Sequence, residues 1–191
     1  GKTVVFCLVM MLMCSFVYPL ALTGVSQLTM KAKADGSKVD KDGNLTTDTK
    51  EAVGSALIGQ DFTEDCYFQG RVSAVNYNVA SGSYNYANSN PELKERMEKD
   101  LEQFLKEHPG VKAEDVPAEL LTASGSGLDP HISPESAEVQ IPTVAKNSGL
   151  SEEEVKKIVE ENTEKKTLGV FGEERVNVLG CNLDIAAAMG K

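Results

Sequence analysis

The chain has 191 residues, of which 29 are acidic and 19 are basic, and its formal net charge is −10 at pH 7. The length corresponds to about one domain of ordinary size, and the acidic excess argues against binding of nucleic acid. The charge is unevenly distributed, because positions 3–30 contain no Asp, Glu, Lys or Arg and only Lys2 precedes them. The composition therefore predicts an apolar segment followed by an acidic, water-soluble domain that can bury one core.

Residues 3–30 are predicted to form an uncleaved transmembrane helix in contact with membrane lipid. As a helix they would extend about 42 Å, whereas about 20 apolar residues suffice to cross the hydrocarbon core. A cleaved signal peptide is the alternative, but its apolar core is shorter, and Ala21-Leu22-Thr23 matches a cleavage site poorly. A lipoprotein site at Cys14 is disfavoured because the bulky Met13 precedes it.

Proline is expected to interrupt this helix. Pro19 lacks an N–H and clashes with the preceding turn, which predicts a kink directly after Tyr18. Gly24 and Ser26 provide a small surface one turn further on, where another helix could approach closely. Tyr18, Pro19 and Gly24 are therefore candidate membrane-packing residues, although Pro and Gly are also common in membrane helices generally.

The charged residues beside the helix give weak evidence on its orientation. Lys2 precedes the helix, and Lys31 and Lys33 follow it, which by the positive-inside rule slightly favours a cytoplasmic C-terminal domain. Cys66 and Cys181 are the only cysteines outside the helix. They could pair or remain reduced, and a single possible disulfide does not identify a compartment.

A polar linker, 31–50, and a soluble domain, 51–191, are predicted to follow the helix. The linker is rich in Asp, Lys, Gly, Ser and Thr, which indicates turns or a loose hairpin. Short strands are predicted at 56–62 and 67–68, where the first apolar residues of the domain occur. Residues 71–90 show little periodicity and predict a long polar loop, which in a compact domain is usually functional or disordered.

Two helices are predicted from their start and stop signals. Asn90-Pro91 begins a helix whose apolar residues recur at helical spacing until Pro109-Gly110. Ser133-Pro134 begins a second helix, which Pro142 should kink or break and Gly149 should end.

The C-terminal part predicts one more helix and a strand. Ser151 with Glu154 forms a capping-box pattern that begins the helix. Alternating apolar residues at 176–179 and 183–185 favour a terminal strand, while 186–189 are equally compatible with helix. The fold class is therefore α+β: a single N-terminal transmembrane helix followed by one mixed α/β soluble domain without internal repeats.

Residues 122–134 carry the densest group of reactive side chains. A serine hydrolase using Ser126, Asp129 and His131 is one interpretation, but the G-x-S-x-G elbow is absent. A phosphate-binding loop would need a following lysine, which is missing here. A metal site would need more ligands than Asp129 and His131 provide, so none is predicted.

The same segment also has a structural interpretation. Gly125 and Gly127 are expected to supply unusual backbone angles, and Asp129-Pro130 would turn the chain into the helix that starts at Ser133. The loop from Ser124 to His131 is therefore a candidate interaction or structural element rather than a catalytic one.

Short motifs along nearly the whole chain match one known family in order and spacing. They are Tyr18-Pro19-Leu20, Thr23-Gly24, Gly54-Ser55, Leu57-Ile58-Gly59-Gln60, Tyr67-Phe68, Gly70-Arg71, Ser73-Ala74, Ser89-Asn90-Pro91, the stretch 121–134 and the stretch 175–183. With these motifs and its single N-terminal span, the chain resembles the C chain of the Kdp potassium-transporting ATPase. Gln69 and Val72 depart from the family pattern, which commonly has His and Pro there.

The resemblance implies a non-catalytic subunit of a bacterial membrane complex that takes up potassium at the expense of ATP. Its partners would be a channel-like A chain, a P-type B chain that hydrolyses ATP, and a small F chain. ATP and potassium would belong to the complex, and this chain would bind no cofactor of its own. The resemblance also places the soluble domain on the outer face of the cell membrane, against the weak lysine signal.

The resemblance further implies a catalytic chaperone that raises the affinity of the B chain for ATP, with Gln140 at the position associated with nucleotide. An outward-facing domain cannot touch cytoplasmic ATP, so this role would require coupling over a long distance. The alternative function is a membrane-anchored extracytoplasmic hydrolase that uses Ser126, Asp129 and His131.

Overall fold

The apolar N-terminal segment is one helical rod in the computed structural model, which describes residues 1–190. It consists of α1 (Lys2–Leu12), a π-helical segment (Met13–Val17) and α2 (Tyr18–Thr29). Together these 28 residues are long and apolar enough to cross a membrane, and none of the apolar window is buried inside the protein. The predicted single N-terminal apolar helix is confirmed.

The irregularity in this helix is a π turn over Met13–Val17, before Pro19, and the helix continues from Tyr18 as α2. The kink expected directly after Tyr18 stays a prediction. Tyr18 keeps α-helical angles (φ −64°, ψ −51°), and its N–H bonds to the carbonyl oxygen of Met13, five residues back. Pro19 cannot donate to the carbonyl of Ser15, and a widened π turn just before it redistributes the affected hydrogen bonds.

The segment after the membrane helix folds back onto the soluble domain. Helix α3 (Lys31–Ala34) follows directly, and the Gln27 side chain donates to Asp35 at 2.7 Å. Strand β1 (Lys38–Val39) then pairs antiparallel with β2 (Gly54–Ser55), and Val39 is buried. Residues 31–50 therefore contain a helical turn and a paired strand.

The helices that the sequence predicts in the soluble domain begin and end close to their start and stop signals. Asn90 accepts a hydrogen bond from the Glu92 N–H, and Ser151 and Glu154 form the predicted capping box. Gly149, at φ +77°, ends one helix in the left-handed conformation that glycine favours. The helices are α4 (Pro91–Glu107), α5 (Pro134–Glu138), α6 (Ile141–Ser148), α7 (Glu152–Glu161) and α8 (Val178–Ala188).

The second sheet is small and antiparallel. It contains β3 (His131–Ile132), β5 (Arg175–Asn177) in the centre and β4 (Thr163–Glu164). Val176 faces Ile132 on one side and Thr163 on the other. Helices α5 to α8 and this sheet enclose the hydrophobic core, so the α+β fold class is confirmed.

Two strand predictions are wrong, and a third is confirmed only at 176–177, which lie in β5. The predicted strand at 176–179 and 183–185 stops at Asn177, whose side chain accepts from the Gly180 N–H and begins α8. Residues 56–62 form only an isolated bridge from Ser55 to Ile58, and 67–68 form no strand. Helix α8 buries the apolar residues of the C-terminal segment as well as a strand would. The alternating pattern therefore does not decide between helix and strand, and the N-cap at Asn177 favours the helix.

His108 lies buried at the C-terminal end of α4 without a polar partner. Its side chain is only 3% exposed, and its ring centroid lies 4.1 Å from that of Phe104. Neither ring nitrogen has a hydrogen-bond partner in the described part of the chain. Burial lowers the pKa of His108 below its ordinary value, and the nearby carboxylates of Glu107 and Asp65 oppose this shift only partly.

Acidification is therefore expected to destabilise the domain through His108. The unfolded chain takes up a proton near the ordinary histidine pKa of about 6.5, whereas the folded chain resists it. The contribution of neutral His108 to the free energy of unfolding is therefore fully present above about pH 6.5. It is lost as the pH falls, by at most about 1.4 kcal/mol per pH unit for one proton. His131, whose pKa is also lowered, adds to this loss in the same direction.

Denaturant unfolding of wild type and His108→Leu between pH 7.5 and 5.5 tests this expectation. The variant should show a smaller loss of unfolding free energy than wild type, because one protonation site is gone. Gln103→Leu, at an exposed position of the same helix, should retain the wild-type dependence. Equal pH dependence in wild type and His108→Leu would contradict the expectation.

Candidate functional site

The 124–131 loop is held beneath the long polar loop 71–90. Four hydrogen bonds between the two loops join backbone to backbone or hydroxyl to backbone, in addition to the side-chain contact of Arg71 with Asp129. With the donor first, they are Ser124 N–H to the Val72 carbonyl (3.2 Å), Gly82 N–H to the Ser126 carbonyl (2.8 Å), Ser81 Oγ to the Ser126 carbonyl (3.1 Å) and Ser73 Oγ to the Gly127 carbonyl (2.6 Å). The 71–90 segment contains no helix or strand, so these bonds order it.

Helix α4 holds the far end of the 71–90 loop. Tyr84 and Tyr86 stack with their ring centroids 5.4 Å apart. The guanidinium of Arg96 lies 4.6 Å from the Tyr84 ring centroid, within the range of a cation–π contact. The loop is therefore attached to the domain at both ends.

Only one of the two glycines in the 124–131 loop has the predicted unusual backbone angle. Gly127 has φ +70°, and a Cβ there would lie 2.8 Å from both the Gly82 carbonyl oxygen and the Val75 side chain. Gly125 does not have a positive φ, and a Cβ there would meet nothing within 4 Å. The expectation is confirmed for Gly127 and wrong for Gly125, because only Gly127 lies under the 71–90 loop.

Ser126 is not arranged as a nucleophile. Its hydroxyl is exposed and accepts a hydrogen bond from the Leu128 N–H at 3.1 Å, as in a local turn. No hydrogen bond joins it to His131 or Asp129 within residues 1–190. A serine nucleophile normally lies about 2.6 to 3.2 Å from its base, so the hydrolase interpretation is not favoured.

Asp129 organises the turn into β3. One of its carboxylate oxygens accepts from the His131 N–H at 3.0 Å, and the other lies 3.3 Å from the Arg71 guanidinium. The Pro130 carbonyl accepts from the Val178 N–H, so the turn also contacts the start of α8. The chain continues from Asp129-Pro130 through β3 to Ser133, which caps α5.

His131 lies between two carboxylates in a partly buried position. Its Nδ1 is 3.8 Å from Asp129 and its Nε2 is 3.9 Å from Glu164. Burial lowers the pKa of His131, and the charge of Arg175 lowers it further against the opposing carboxylates. Its ring is therefore mainly neutral at pH 7, and its Nε2 also lies 3.5 Å from the side-chain nitrogen of Asn177 in β5.

An open cleft of about 610 Å³ lies beside His131. Its walls carry both signs of charge, and the described residues contain no group of three or more His, Cys, Asp or Glu that could hold a metal ion. The charged residues that line it are Glu119, Asp129, Glu135, Lys166, Glu173, Glu174 and Arg175. The cleft offers ion-pairing groups without an evident catalytic arrangement.

Two buried side-chain amides form hydrogen bonds with the backbone of two adjacent residues in the loop before Arg71. Asn182 accepts from the Phe68 N–H at 2.8 Å and donates to the Phe68 carbonyl at 3.0 Å. Gln140 accepts from the Gln69 N–H at 2.8 Å and donates to the Gln69 carbonyl at 3.2 Å. The two amides satisfy the backbone N–H and carbonyl groups of the irregular 68–69 segment, as the backbone of a neighbouring strand would in a sheet.

Gln140 is fully buried and makes a further hydrogen bond inside the fold. Its Nε2 also donates to the Ser136 carbonyl at 2.9 Å, one turn earlier. Both donor hydrogens and the acceptor oxygen of the amide are thereby engaged within this chain.

Comparison with known sequences places this architecture in one family. The family described as KdpC, the c chain of the K+-transporting ATPase, matches residues 1–187. The chain belongs to this family. It is 51% identical over 202 residues to the potassium-transporting ATPase KdpC subunit of Clostridioides difficile (strain 630), covering 96% of this chain and 94% of that protein.

A second relative shows the same similarity along its length. The KdpC subunit of Caldanaerobacter subterraneus subsp. tengcongensis is 49% identical over 191 residues, which cover 100% of this chain and 95% of that protein. The match includes the apolar helix as well as the soluble region. The resemblance found in the sequence is therefore confirmed, and this KdpC-family chain is a membrane-associated accessory subunit of a transporter.

The predicted site residues of this KdpC-family chain fall into three separate places. The first holds the 124–131 loop with Asp129 and His131, and the second is the buried position of Gln140. The third is the exposed membrane helix. Tyr18, Pro19 and Gly24 lie on that helix, where no described part of the chain covers Gly24.

Several important residues were not singled out as site residues in the sequence. Their partners lie far away in the chain, so local sequence patterns do not reveal them. Arg71 contacts Asp129, 58 positions away, Asn182 contacts Phe68, 114 positions away, and Glu164 contacts His131, about 33 positions away. Cys66 and Cys181 are both buried, and no disulfide joins them in the described residues. Burial raises the pKa of the Cys181 thiol to about 12.

Proposed function

We propose that this chain is a non-catalytic subunit of a high-affinity, ATP-driven potassium uptake complex and that it stabilises the assembly. The observation that carries the proposal is the match to the c chain of the K+-transporting ATPase over residues 1–187, which covers helix and domain together. The arrangement of Ser126, Asp129 and His131 supports a structural role, because the serine is not bonded to the histidine.

The partners in this proposal are a channel-like A chain, a P-type B chain that carries the catalysis, and a small F chain. The membrane helix supplies a packing surface for them. Gly24 lets another helix approach closely, and the π turn before Pro19 changes the direction of side chains along the rod. Tyr18, exposed on the same helix, adds an aromatic contact to this surface.

The proposal places the soluble domain on the outer face, so any effect on ATP affinity acts through coupling across the membrane. The burial of Gln140 supports an indirect role, because its amide is occupied by Gln69 and Ser136. In this proposal Gln140 is a structural clamp, and the chaperone function depends on how the folded domain holds its partner chains.

One experiment tests both the topology and the partnership. Cys7 and Cys14 are replaced by serine, and Val79→Cys is introduced in the exposed part of the 71–90 loop. A membrane-impermeant maleimide should label this cysteine in intact cells. After mild detergent extraction, the labelled chain should co-purify with the A, B and F chains.

The parent chain without Val79→Cys is the control, because its remaining cysteines, Cys66 and Cys181, are buried. Labelling that requires permeabilised cells would place the domain on the cytoplasmic side and allow direct contact with ATP. A labelled chain that purifies without the other subunits would overturn the proposed function.

A further inference from the structure

The turn that follows β2 exposes two adjacent apolar side chains. The Ile58 N–H donates to the Ser55 carbonyl at 3.3 Å and closes this turn. Leu57 is 63% exposed and Ile58 is 47% exposed. We refer to residues 55–58 as the juxtamembrane turn, because hydrogen bonds join it to the residues that follow the membrane helix.

Two backbone hydrogen bonds make this connection. The Ala56 N–H donates to the Ser37 carbonyl at 3.0 Å, and the Ser37 N–H donates to the Ala32 carbonyl at 2.9 Å. Ala32 lies three positions beyond Thr29, the last residue of α2. The Asn177 side chain in β5 donates to the Ala56 carbonyl at 3.0 Å. The juxtamembrane turn is therefore fixed to the domain and lies close to the end of the membrane helix.

The length of the membrane helix places its C-terminal end at the bilayer surface. Its 28 residues extend about 42 Å, which matches a bilayer with its headgroups, roughly 40 to 45 Å. Within residues 2–29 only Ser26 and Gln27 are partly buried, and Gln27 donates to Asp35 at 2.7 Å. The chain after the helix therefore folds back beside its last turn, which puts the juxtamembrane turn at the level of the headgroups.

Charge separates residues 31–58 from the rest of the soluble region. They contain five lysines and five acidic residues, whereas residues 59–191 contain 13 basic and 24 acidic side chains. An anionic lipid surface attracts basic segments and repels acidic ones within about a Debye length. Residues 31–58 are neutral, and Lys31 and Lys33 lie at their membrane end. This segment can therefore approach lipid headgroups without the repulsion that the rest of the domain meets.

We propose that the juxtamembrane turn inserts Leu57 and Ile58 into the lipid interface beside the membrane helix and so orients the domain on the bilayer. Leu28 and Met30, at the end of the helix, are 89% and 52% exposed. Apolar side chains are thus available on both sides of the hydrogen-bonded link, next to the bilayer that surrounds the helix. Apolar groups at this depth lie in the boundary between headgroups and acyl chains. The inference goes beyond the proposed function and requires only that the helix lies in a bilayer.

Tryptophan fluorescence tests this contact, because the chain contains no tryptophan. Full-length Leu57→Trp is reconstituted in vesicles of phosphatidylcholine and phosphatidylglycerol, with the phosphatidylcholine brominated near the headgroup end of its acyl chains. Its emission should fall by about half relative to unbrominated vesicles, because interfacial apolar groups reach roughly 5 to 10 Å into this boundary. Ile58→Trp should show the same loss and serves as the second position if Leu57→Trp does not fold.

Ala188→Trp is the matched control. Ala188 is exposed at the C-terminal end of α8, about 15 Å from the start of that helix, where Asn177 is bonded to Ala56. Its emission should not change with bromination. Unchanged emission at both turn positions overturns the proposal, and so does an equal loss at all three positions, which would mean that the whole domain lies on the lipid.

Photo-cross-linking in native membranes identifies the neighbour of the turn in the assembled state. A cross-linking residue at position 57 should capture lipid. Capture only of another protein chain, or of a second copy of this chain, overturns the proposal. The vesicle experiment needs no other subunit, so failure of this chain to co-purify with partners would defeat the proposed function and leave the lipid contact standing.

Discussion

Asn182→Ala is expected to destabilise the soluble domain by about 3 to 5 kcal/mol, because it leaves two buried backbone groups without partners. The Phe68 side chain is only 1% exposed, and its N–H and carbonyl both bond to the Asn182 amide. Each buried group that loses its partner costs about 1 to 3 kcal/mol, and the removed amide volume adds to this cost.

Gln140→Ala should have a similar but smaller effect, because Gln69 is only partly buried. Denaturant unfolding of the full chain in detergent measures both losses. Asn147→Ala removes an exposed amide that donates to the Asp65 carbonyl and should change stability by less than about 0.5 kcal/mol. If Gln140→Ala lowered the apparent ATP affinity of the complex while stability and assembly were unchanged, the clamp role would be wrong.

Gly127→Val is expected to cost about 2 to 5 kcal/mol of stability and to weaken assembly with the other chains. Valine at φ +70° is strained, and its Cβ would lie 2.8 Å from the Gly82 carbonyl oxygen. The substitution would therefore push the 71–90 loop away from the 124–131 loop and break the hydrogen bonds that join them.

Gly125→Val is the matched control for this effect. A Cβ at Gly125 meets nothing within 4 Å, so the change should cost less than about 1 kcal/mol. Ser126→Ala removes a single exposed hydrogen bond and should cost at most about 1.5 kcal/mol. Unfolding curves and subunit recovery rank the three variants. Equal losses for the two glycines would contradict the steric argument, and loss of function in Ser126→Ala with fold and assembly intact would favour a nucleophile.

The effects of Asp129→Ala and His131→Ala follow from the same geometry. Asp129 bonds to both the His131 backbone and Arg71, whereas the His131 ring has a 3.5 Å contact with the Asn177 side-chain nitrogen and longer contacts with carboxylates. Removing the aspartate should therefore weaken assembly more than removing the histidine ring. This ranking could not be predicted from the sequence, because the position of Arg71 relative to the turn was unknown.

Features set by neighbouring residues could be predicted from the sequence. The apolar helix followed from its lack of charge, and the starts of α4 and α7 followed from Asn90 and from the Ser151 capping box. Helix caps are local, because the capping side chain bonds to an N–H two or three residues away. The family was also recognisable because its motifs extend along the whole chain.

Features that depend on distant residues were decided by the tertiary structure. The strands are two or three residues long and pair with partners far away in sequence, such as Val176 with Ile132 and Thr163. A strand of two or three residues is too short to show an alternation of apolar and polar side chains in the sequence. A segment such as 67–68 can also be held by hydrogen bonds to the Asn182 side chain instead of to a neighbouring strand. The positive φ of Gly127, the burial of Gln140 and the ion pair of Asp129 all arise from packing between segments that local sequence patterns cannot bring together.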